Sequence, residues 1–144
     1  MTLTAASVPP QPLAEGQVAF FWEAVAQHRL SILRCTVCRH YVHYPRPVCN
    51  RCQSTELVPE DVSGRGTLYA YTEVMQAFHP YFVDKLPYVL AVVELEEEPG
   101  LRVTTNIVDH EGVQLRVGLP VEVVFRAVGE GGAVLPLFRP RRDA

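Results

Sequence analysis

This chain of 144 residues has few cysteines and no long apolar run. Its four cysteines all lie between Cys35 and Cys52. No segment approaches the ~20 apolar residues of a membrane helix. The first residues have neither the basic start nor the apolar core of a signal peptide. We therefore expect a cytoplasmic protein without membrane association, a setting in which paired cysteines bind metal more often than they form disulfides.

Acidic residues are missing from one long segment, 24–55, although the net charge of the whole chain is −3. That segment instead carries a group of arginines that includes Arg34, Arg39, Arg46 and Arg51. From Glu56 onward acids outnumber bases, and the isoelectric point is about 5.9. The charge distribution predicts two structural pieces, one basic and one acidic.

Only one stretch has a helical pattern, and it lies before the cysteines. Val18, Phe21, Trp22 and Val25 follow the i, i+3, i+4, i+7 spacing of one helix face. We predict a flexible leader over 1–12 and an N-terminal helix over 13–30. The broad apolar face allows two interpretations, packing on the chain's own core or docking of a partner protein.

The remainder of the chain has a β pattern. Twelve prolines and nine glycines indicate many turns, and segments rich in β-branched and aromatic residues alternate with turn signals. The predicted strands are Gly66–Val74, Pro87–Glu96, Leu101–Asp109, Leu119–Val128 and Ala133–Pro140. Five strands without a helix long enough for a βαβ unit predict a Greek-key barrel of the OB type over 61–144.

The cysteines form two CxxC pairs, Cys35/Cys38 and Cys49/Cys52, which is the pattern of a zinc ribbon, here placed at 31–60. Zn²⁺ is the expected metal, with rubredoxin-like iron as the alternative. Four thiolates leave no open position, so the metal is expected to be structural. His40 and His43 lie near enough in sequence to ligate, although solvent-facing histidines are the simpler interpretation.

Two further groups of residues are candidates for binding. Guanidinium groups match phosphate oxygens, so Arg34, Arg39, Arg46 and Arg51 on the ribbon and Arg65 before the barrel are candidate ligand contacts. A loop between two predicted strands contains His79, Tyr81 and Phe82, which fit a ligand site, a partner surface or a simple aromatic cap. No catalytic residue is assigned, because a lone His79 has no visible orienting partner.

Seven segments in order resemble the DUF35 family. They are FFWEA, RCTVC, YPRPVCNRC, VSGRGTLYAYT, PYVLAVVELEE, LPVEVVF and LPLFRP, and together they span about 20–139. The family combines a rubredoxin-like zinc ribbon with an OB-fold and is associated with acyl-CoA metabolism. The resemblance therefore implies the same mainly β fold for this chain.

The resemblance also implies an accessory role. Family members work beside thiolase-fold enzymes, such as lipid-transfer-protein-type aldolases or acyltransferases, or beside MaoC-like enoyl-CoA hydratases. They help to bind acyl-CoA, including the thioesters of steroid side-chain degradation. It follows that this chain is expected to form a hetero-oligomer through surfaces that include Phe21, Trp22, Val25, His79, Tyr81 and Phe82.

Three other functions are compatible with parts of the pattern. OB-folds and zinc ribbons also occur in single-stranded nucleic-acid binders, but the acidic barrel segment lacks the basic signature of that class. A rubredoxin-like electron carrier requires iron in the four-cysteine site. An independent aldolase or hydratase requires activity without a partner.

Overall fold

The computed structural model describes residues 8–129 and 131–142, so the start of the predicted leader, 1–7, lies outside the described residues. A 3-10 turn at Gly16–Val18 leads into the helix α1 (Ala19–Ala26), and a second 3-10 turn lies at Pro80–Phe82. No helix of the described residues is long and apolar enough to cross a bilayer. The regular elements are α1 (Ala19–Ala26), β1 (Leu30–Cys35), β2 (Tyr41–Val42), β3 (Leu57–Val62), β4 (Arg65–Val74), β5 (Tyr88–Leu95), β6 (Arg102–Ile107), β7 (Pro120–Ala127) and β8 (Val134–Pro140).

Strands β4 to β8 form a closed barrel in the order β4-β5-β6-β8-β7. All pairs are antiparallel except β6 with β8, which meet in parallel at Ile107 and Phe138. Each strand matches a predicted segment to within two residues. This confirms the predicted five-stranded OB-type barrel.

The barrel core follows from the alternation of side chains along the strands. In β5 the side chains of Val89, Ala91, Val93 and Leu95 point inward, and every second residue between them is more exposed. At the entry to the barrel Gly66 passes so close to β5 that a Cβ would lie 2.3 Å from the Glu94 carbonyl oxygen. Only glycine therefore fits there without a backbone shift.

A three-stranded sheet in the order β2-β1-β3 precedes the barrel and carries the cysteines. Strand β3, which the sequence did not indicate, pairs with the whole of β1 from Leu30↔Val62 to Cys35↔Leu57. Leu30, Ile32 and Tyr41 belong to the same apolar cluster as the barrel core. The base of the ribbon is therefore packed on the barrel.

Helix α1 is shorter than the predicted helix and packs on β1 and β8. It ends at Ala26, and two residues later His28 has a left-handed backbone with φ of 60°. Val25 is fully buried, so this residue packs on the chain's own core. Phe21 and Trp22 on the same helix are only half-buried.

The described part of the predicted leader lies against the barrel. Pro9 is buried, and the Ala133 N–H donates a hydrogen bond of 3.0 Å to Oε1 of Gln11. Gln11 also donates through Nε2 to the Pro9 carbonyl at 3.0 Å. Pro9 and Gln11 thus contact other parts of the chain, and the flexibility expected for the leader 1–12 stays a prediction.

Candidate metal centre and binding surfaces

The two CxxC pairs form turns of the same geometry. In the first turn the Arg39 N–H donates to the Cys35 carbonyl at 3.0 Å, and in the second the Gln53 N–H donates to the Cys49 carbonyl at 3.0 Å. Arg39 and Gln53 both have φ of 65°, the left-handed conformation. Each turn thereby directs its two thiol groups to the same side.

The two turns bring all four cysteines together. Their Sγ atoms lie within 4.8 Å of one another. Cys35 and Cys52 are 3.5 Å apart, and Cys38 and Cys49 are 3.7 Å apart. Zinc–sulfur bonds of ~2.3 Å in a tetrahedron require sulfur separations of ~3.8 Å. The donor set therefore fits a tetrahedral Zn²⁺ ion.

Backbone N–H groups lower the pKa of two of the thiols, those of Cys35 and Cys49, and so favour their thiolate forms. The Cys38 N–H points at Sγ of Cys35 at 3.5 Å, and the Arg51 N–H points at Sγ of Cys49 at 3.4 Å. Hydrogen bonding from the backbone N–H groups of Cys38 and Val37 lowers the pKa of the Cys35 thiol to about 6. Thiolate is the form that coordinates metal.

The two histidines of the ribbon lie outside this cluster. His40 places Nδ1 2.9 Å from Oε2 of Glu98, an ion-pair distance without hydrogen-bond geometry. His43 is packed between the rings of Phe21 and Tyr44. Burial lowers its pKa to about 4, so its imidazole is neutral near pH 7. The contact of His40 with Glu98, in contrast, joins the ribbon to the turn between β5 and β6.

Most of the candidate arginines have carboxylate neighbours. Arg34 contacts Glu60 at 3.1 Å and donates to the Arg39 carbonyl at 2.8 Å. Arg65 contacts Glu96 at 2.8 Å. These two arginines are engaged in holding the ribbon turn and the barrel entry.

The other three arginines of the ribbon have donors available. Arg39 lies 3.6 Å from Glu60 and Arg51 lies 3.9 Å from Glu98, and both side chains are more than half exposed. Arg46 is exposed and has no carboxylate partner among the described residues. The ribbon therefore presents a set of accessible guanidinium groups.

A cavity of about 300 Å³ lies between α1, the ribbon and the barrel. Phe21 and Trp22 line one side, and Tyr44 and Pro45 line another. Tyr44 is held in place because its hydroxyl oxygen accepts a hydrogen bond from the Thr104 N–H at 3.0 Å. The segment that carries Arg46 thus forms part of the rim of an apolar cavity.

The loop between β4 and β5 is an aromatic cluster. The Tyr81 N–H donates to Nδ1 of His79 at 3.1 Å, and the ring of Phe82 packs on Tyr81 and Tyr88. The most exposed apolar side chains nearby are Phe78, 79% exposed, and Met75, 70% exposed. Neither residue was predicted from the sequence to take part in binding, although both lie close to the loop of His79, Tyr81 and Phe82.

Comparison with known proteins gives a match along most of the chain. Residues 22–58 match the rubredoxin-like zinc ribbon domain of ChsH2, and residues 59–126 match the C-terminal OB-fold domain of ChsH2. A DUF35 domain-containing scaffold protein of Methanocaldococcus jannaschii is 34% identical, over 83% of this chain and 84% of that protein.

Two further similar proteins are parts of enzymes. A probable enoyl-CoA hydratase alpha subunit of Thermomonospora curvata is 37% identical over 91% of this chain, which spans only 40% of that relative. A solved chain from the Ltp2-ChsH2(DUF35) aldolase has a TM-score of 0.79 and 35% identity. That match covers 90% of this chain and 98% of the solved chain.

Proposed function

Since this chain belongs to the DUF35 family, we propose that it is an accessory subunit of an acyl-CoA-processing enzyme. It binds a thiolase-fold subunit, of the aldolase or acyltransferase kind, and helps to hold the CoA thioester. The reacting groups belong to the partner. The chain itself contributes binding surface and structural support.

One observation carries this proposal. The similarity to the DUF35 chain of the Ltp2-ChsH2 aldolase covers nearly the full length of both chains. Ribbon, barrel and the junction between them are therefore comparable as a whole. Because the similarity covers the whole DUF35 chain, we expect this chain to have the same role as an accessory subunit.

In this proposal the metal is structural zinc. Four thiolates fill the coordination shell and leave no position for water or substrate. Zinc would be held by Cys35, Cys38, Cys49 and Cys52, and it would fix the two turns relative to each other. The turns in turn position the arginines that flank them.

The CoA phosphates are proposed to bind at the exposed arginines of the ribbon, chiefly Arg39, Arg46 and Arg51. Guanidinium pairs with phosphate are charge-assisted and often bidentate. The exposed pairs of Arg39 and Arg51 with carboxylates are weak, since such surface pairs contribute ~0–1 kcal/mol. A phosphate can therefore recruit these side chains at little cost.

The partner is proposed to contact Phe21 and Trp22 of α1 and the loop of His79, Tyr81 and Phe82. These residues are half-buried and offer aromatic surface at two places on the molecule. Phe78 and Met75 extend the second place. Aromatic and methionine side chains are enriched at protein interfaces.

The test is affinity purification of the tagged full-length chain from its own host, with the co-purifying proteins identified by mass spectrometry. We expect a thiolase-fold protein in near-stoichiometric amount. An unrelated protein that carries the same tag is the control. If the chain is recovered alone, the proposal fails.

A second candidate partner is a MaoC-like enoyl-CoA hydratase. The Thermomonospora curvata relative, of which this chain spans 40%, is named a hydratase alpha subunit. The same purification separates the two candidates, because the identified partner is either a thiolase-fold protein or a hydratase.

A further inference from the structure

Strand β4 is paired on both sides only in its first half. Its residues Arg65 to Thr67 pair with β7, from Arg65↔Glu122 to Thr67↔Pro120. Leu68 is also hydrogen-bonded on this side of β4. Its N–H donates to the Leu119 carbonyl at 2.9 Å, and its carbonyl accepts from the Gly118 N–H at 2.8 Å. On the opposite side, a β-bulge between Leu68 and Ala70 shifts the register of the pairing with β5.

Beyond the bulge, the second half of β4 has an open edge. Residues Ala70 to Val74 pair with β5 on one side. On the other side no backbone partner occurs within the described ranges 8–129 and 131–142. Natural proteins commonly protect such edges with proline, charged side chains, bulges, a covering loop or very short strands. The segment AYTEV contains no proline and one charged side chain, Glu73.

A groove of about 670 Å³ runs beside this open edge. One wall is β4, with Tyr71, Thr72, Glu73 and Met75, and the other is the loop between β6 and β7. The loop wall is fixed, because the Tyr71 hydroxyl donates to the Leu115 carbonyl at 2.9 Å and Leu115 packs on the barrel core. The groove is thus a formed feature next to unpaired backbone groups.

The two walls of the groove limit which kind of polypeptide can bind between them. An added strand would lie ~4.8 Å from β4. Its chain direction could be the same as that of β4 or the opposite. A second copy of β4 arrives with its own β5 and its own loop wall, so it does not enter a groove that is closed on both sides. A single extended segment of polypeptide does.

The charge of the groove favours an incoming segment with a basic side chain. Glu73 is exposed and is the only Asp, Glu, Lys or Arg among the residues that line the groove. An incoming segment with Lys or Arg opposite Glu73 gains a favourable cross-strand pair. Met75, which follows the last residue of β4 and lines the groove, is strongly exposed and offers apolar surface to the same segment.

We propose that the groove between the open edge of β4 and the β6–β7 loop binds an extended, lysine- or arginine-bearing segment of the partner enzyme subunit as an added β-strand. This proposal rests on the accessory function proposed above and specifies how the partner is held. Backbone hydrogen bonds to Ala70–Val74 provide the pairing, and Glu73 sets the register.

The test compares backbone hydrogen exchange in the free chain and in the complex purified from the host. The β4 amides that do not face β5 exchange freely in the isolated chain, because they have no partner. Strand addition is expected to slow the exchange of peptides covering Tyr69–Met75 by at least ~10-fold. Unchanged exchange there in an intact complex overturns the proposal.

A pair of variants tests the charge. Glu73→Lys places like charges in opposition and is expected to reduce recovered partner by at least ~10-fold. Glu15→Lys makes the same charge change at an exposed site outside the groove and is expected to retain the partner. Equal recovery with both variants overturns the role of Glu73. A wild-type chain that brings down no partner removes the proposed function itself, whereas a wild-type complex with an unprotected β4 removes only the added strand.

Discussion

At the scale of single residues, the ribbon arginines differ in how free they are to bind a ligand. Arg34 is held by Glu60, by a carbonyl oxygen and by the ring of Tyr41, 4.3 Å from its guanidinium carbon. Arg46 has no carboxylate partner among residues 8–129 and 131–142. A phosphate that binds Arg46 therefore displaces no carboxylate of the described residues, which makes Arg46 the sharpest test of the ligand surface.

We predict that Arg46→Ala weakens CoA binding by the purified complex by roughly 10-fold. A hydrogen bond to a charged group contributes about 1.5–3 kcal/mol, and 1.4 kcal/mol corresponds to tenfold in affinity. Isothermal titration calorimetry with CoA measures the change. Arg102→Ala is the matched control, because Arg102 lies on β6, pairs with Glu94 and covers the ring of Tyr69. Equal affinity of the two variants contradicts a phosphate contact at Arg46.

At the scale of elements, the ribbon has little core of its own. Its buried cluster consists of Cys35, Val42 and Cys49, with three partly buried neighbours. Leu30 and Ile32 at the other end of β1 belong to the barrel core instead. The tips of the ribbon therefore depend on metal, while its base depends on the barrel.

Removal of the metal by a chelator is expected to unfold the two cysteine turns and to leave the barrel intact. Structural zinc in small modules contributes on the order of 10–16 kcal/mol of binding free energy, which the small cluster cannot replace. Hydrogen exchange should become fast for peptides covering 35–40 and 49–54 and stay slow for β5. Re-addition of zinc should restore protection, and Cys35→Ser should reproduce the chelated state. Turns that stay protected after the metal is removed would contradict this division.

The sequence determined the type of most elements but not their partners. The five barrel strands were visible because apolar and β-branched residues alternate between clear turn signals. Strand β3 was missed because Pro59, Glu60 and Asp61 interrupt the apolar pattern, and such residues are accepted there only because β3 pairs with β1 alone. The helix end was misplaced because His28, and not glycine, adopts the left-handed conformation.

Only part of the candidate site was predictable: the four metal ligands were, and the partners of the arginines were not. Four cysteines at CxxC spacing indicated the metal centre, since the ligands of each turn are local in sequence. The carboxylate partners of Arg34 and Arg51 were not predictable, because Glu60 and Glu98 are distant in sequence and come close only through the β1–β3 pairing and the packing of the ribbon on the barrel. The open edge of β4 likewise depends on where β7 ends its pairing.

At the scale of the whole molecule, several candidate binding features lie around the barrel core and the small cluster of the ribbon. The ribbon carries exposed arginines, an apolar cavity lies where α1, ribbon and barrel meet, and β4 has an open edge. The described residues thus combine the charged surface proposed to bind phosphate with the surfaces proposed to bind a partner. This combination is what an accessory subunit of a CoA-dependent enzyme requires.

In the proposed complex the chain supplies binding and the partner supplies chemistry. We would first measure turnover of the partner's acyl-CoA substrate by three samples: the chain alone, the partner alone and the reconstituted complex. We expect no turnover by the chain alone and a higher kcat/KM for the complex than for the partner alone. Turnover by the chain alone, or identical kcat/KM with and without the chain, would contradict this division of roles.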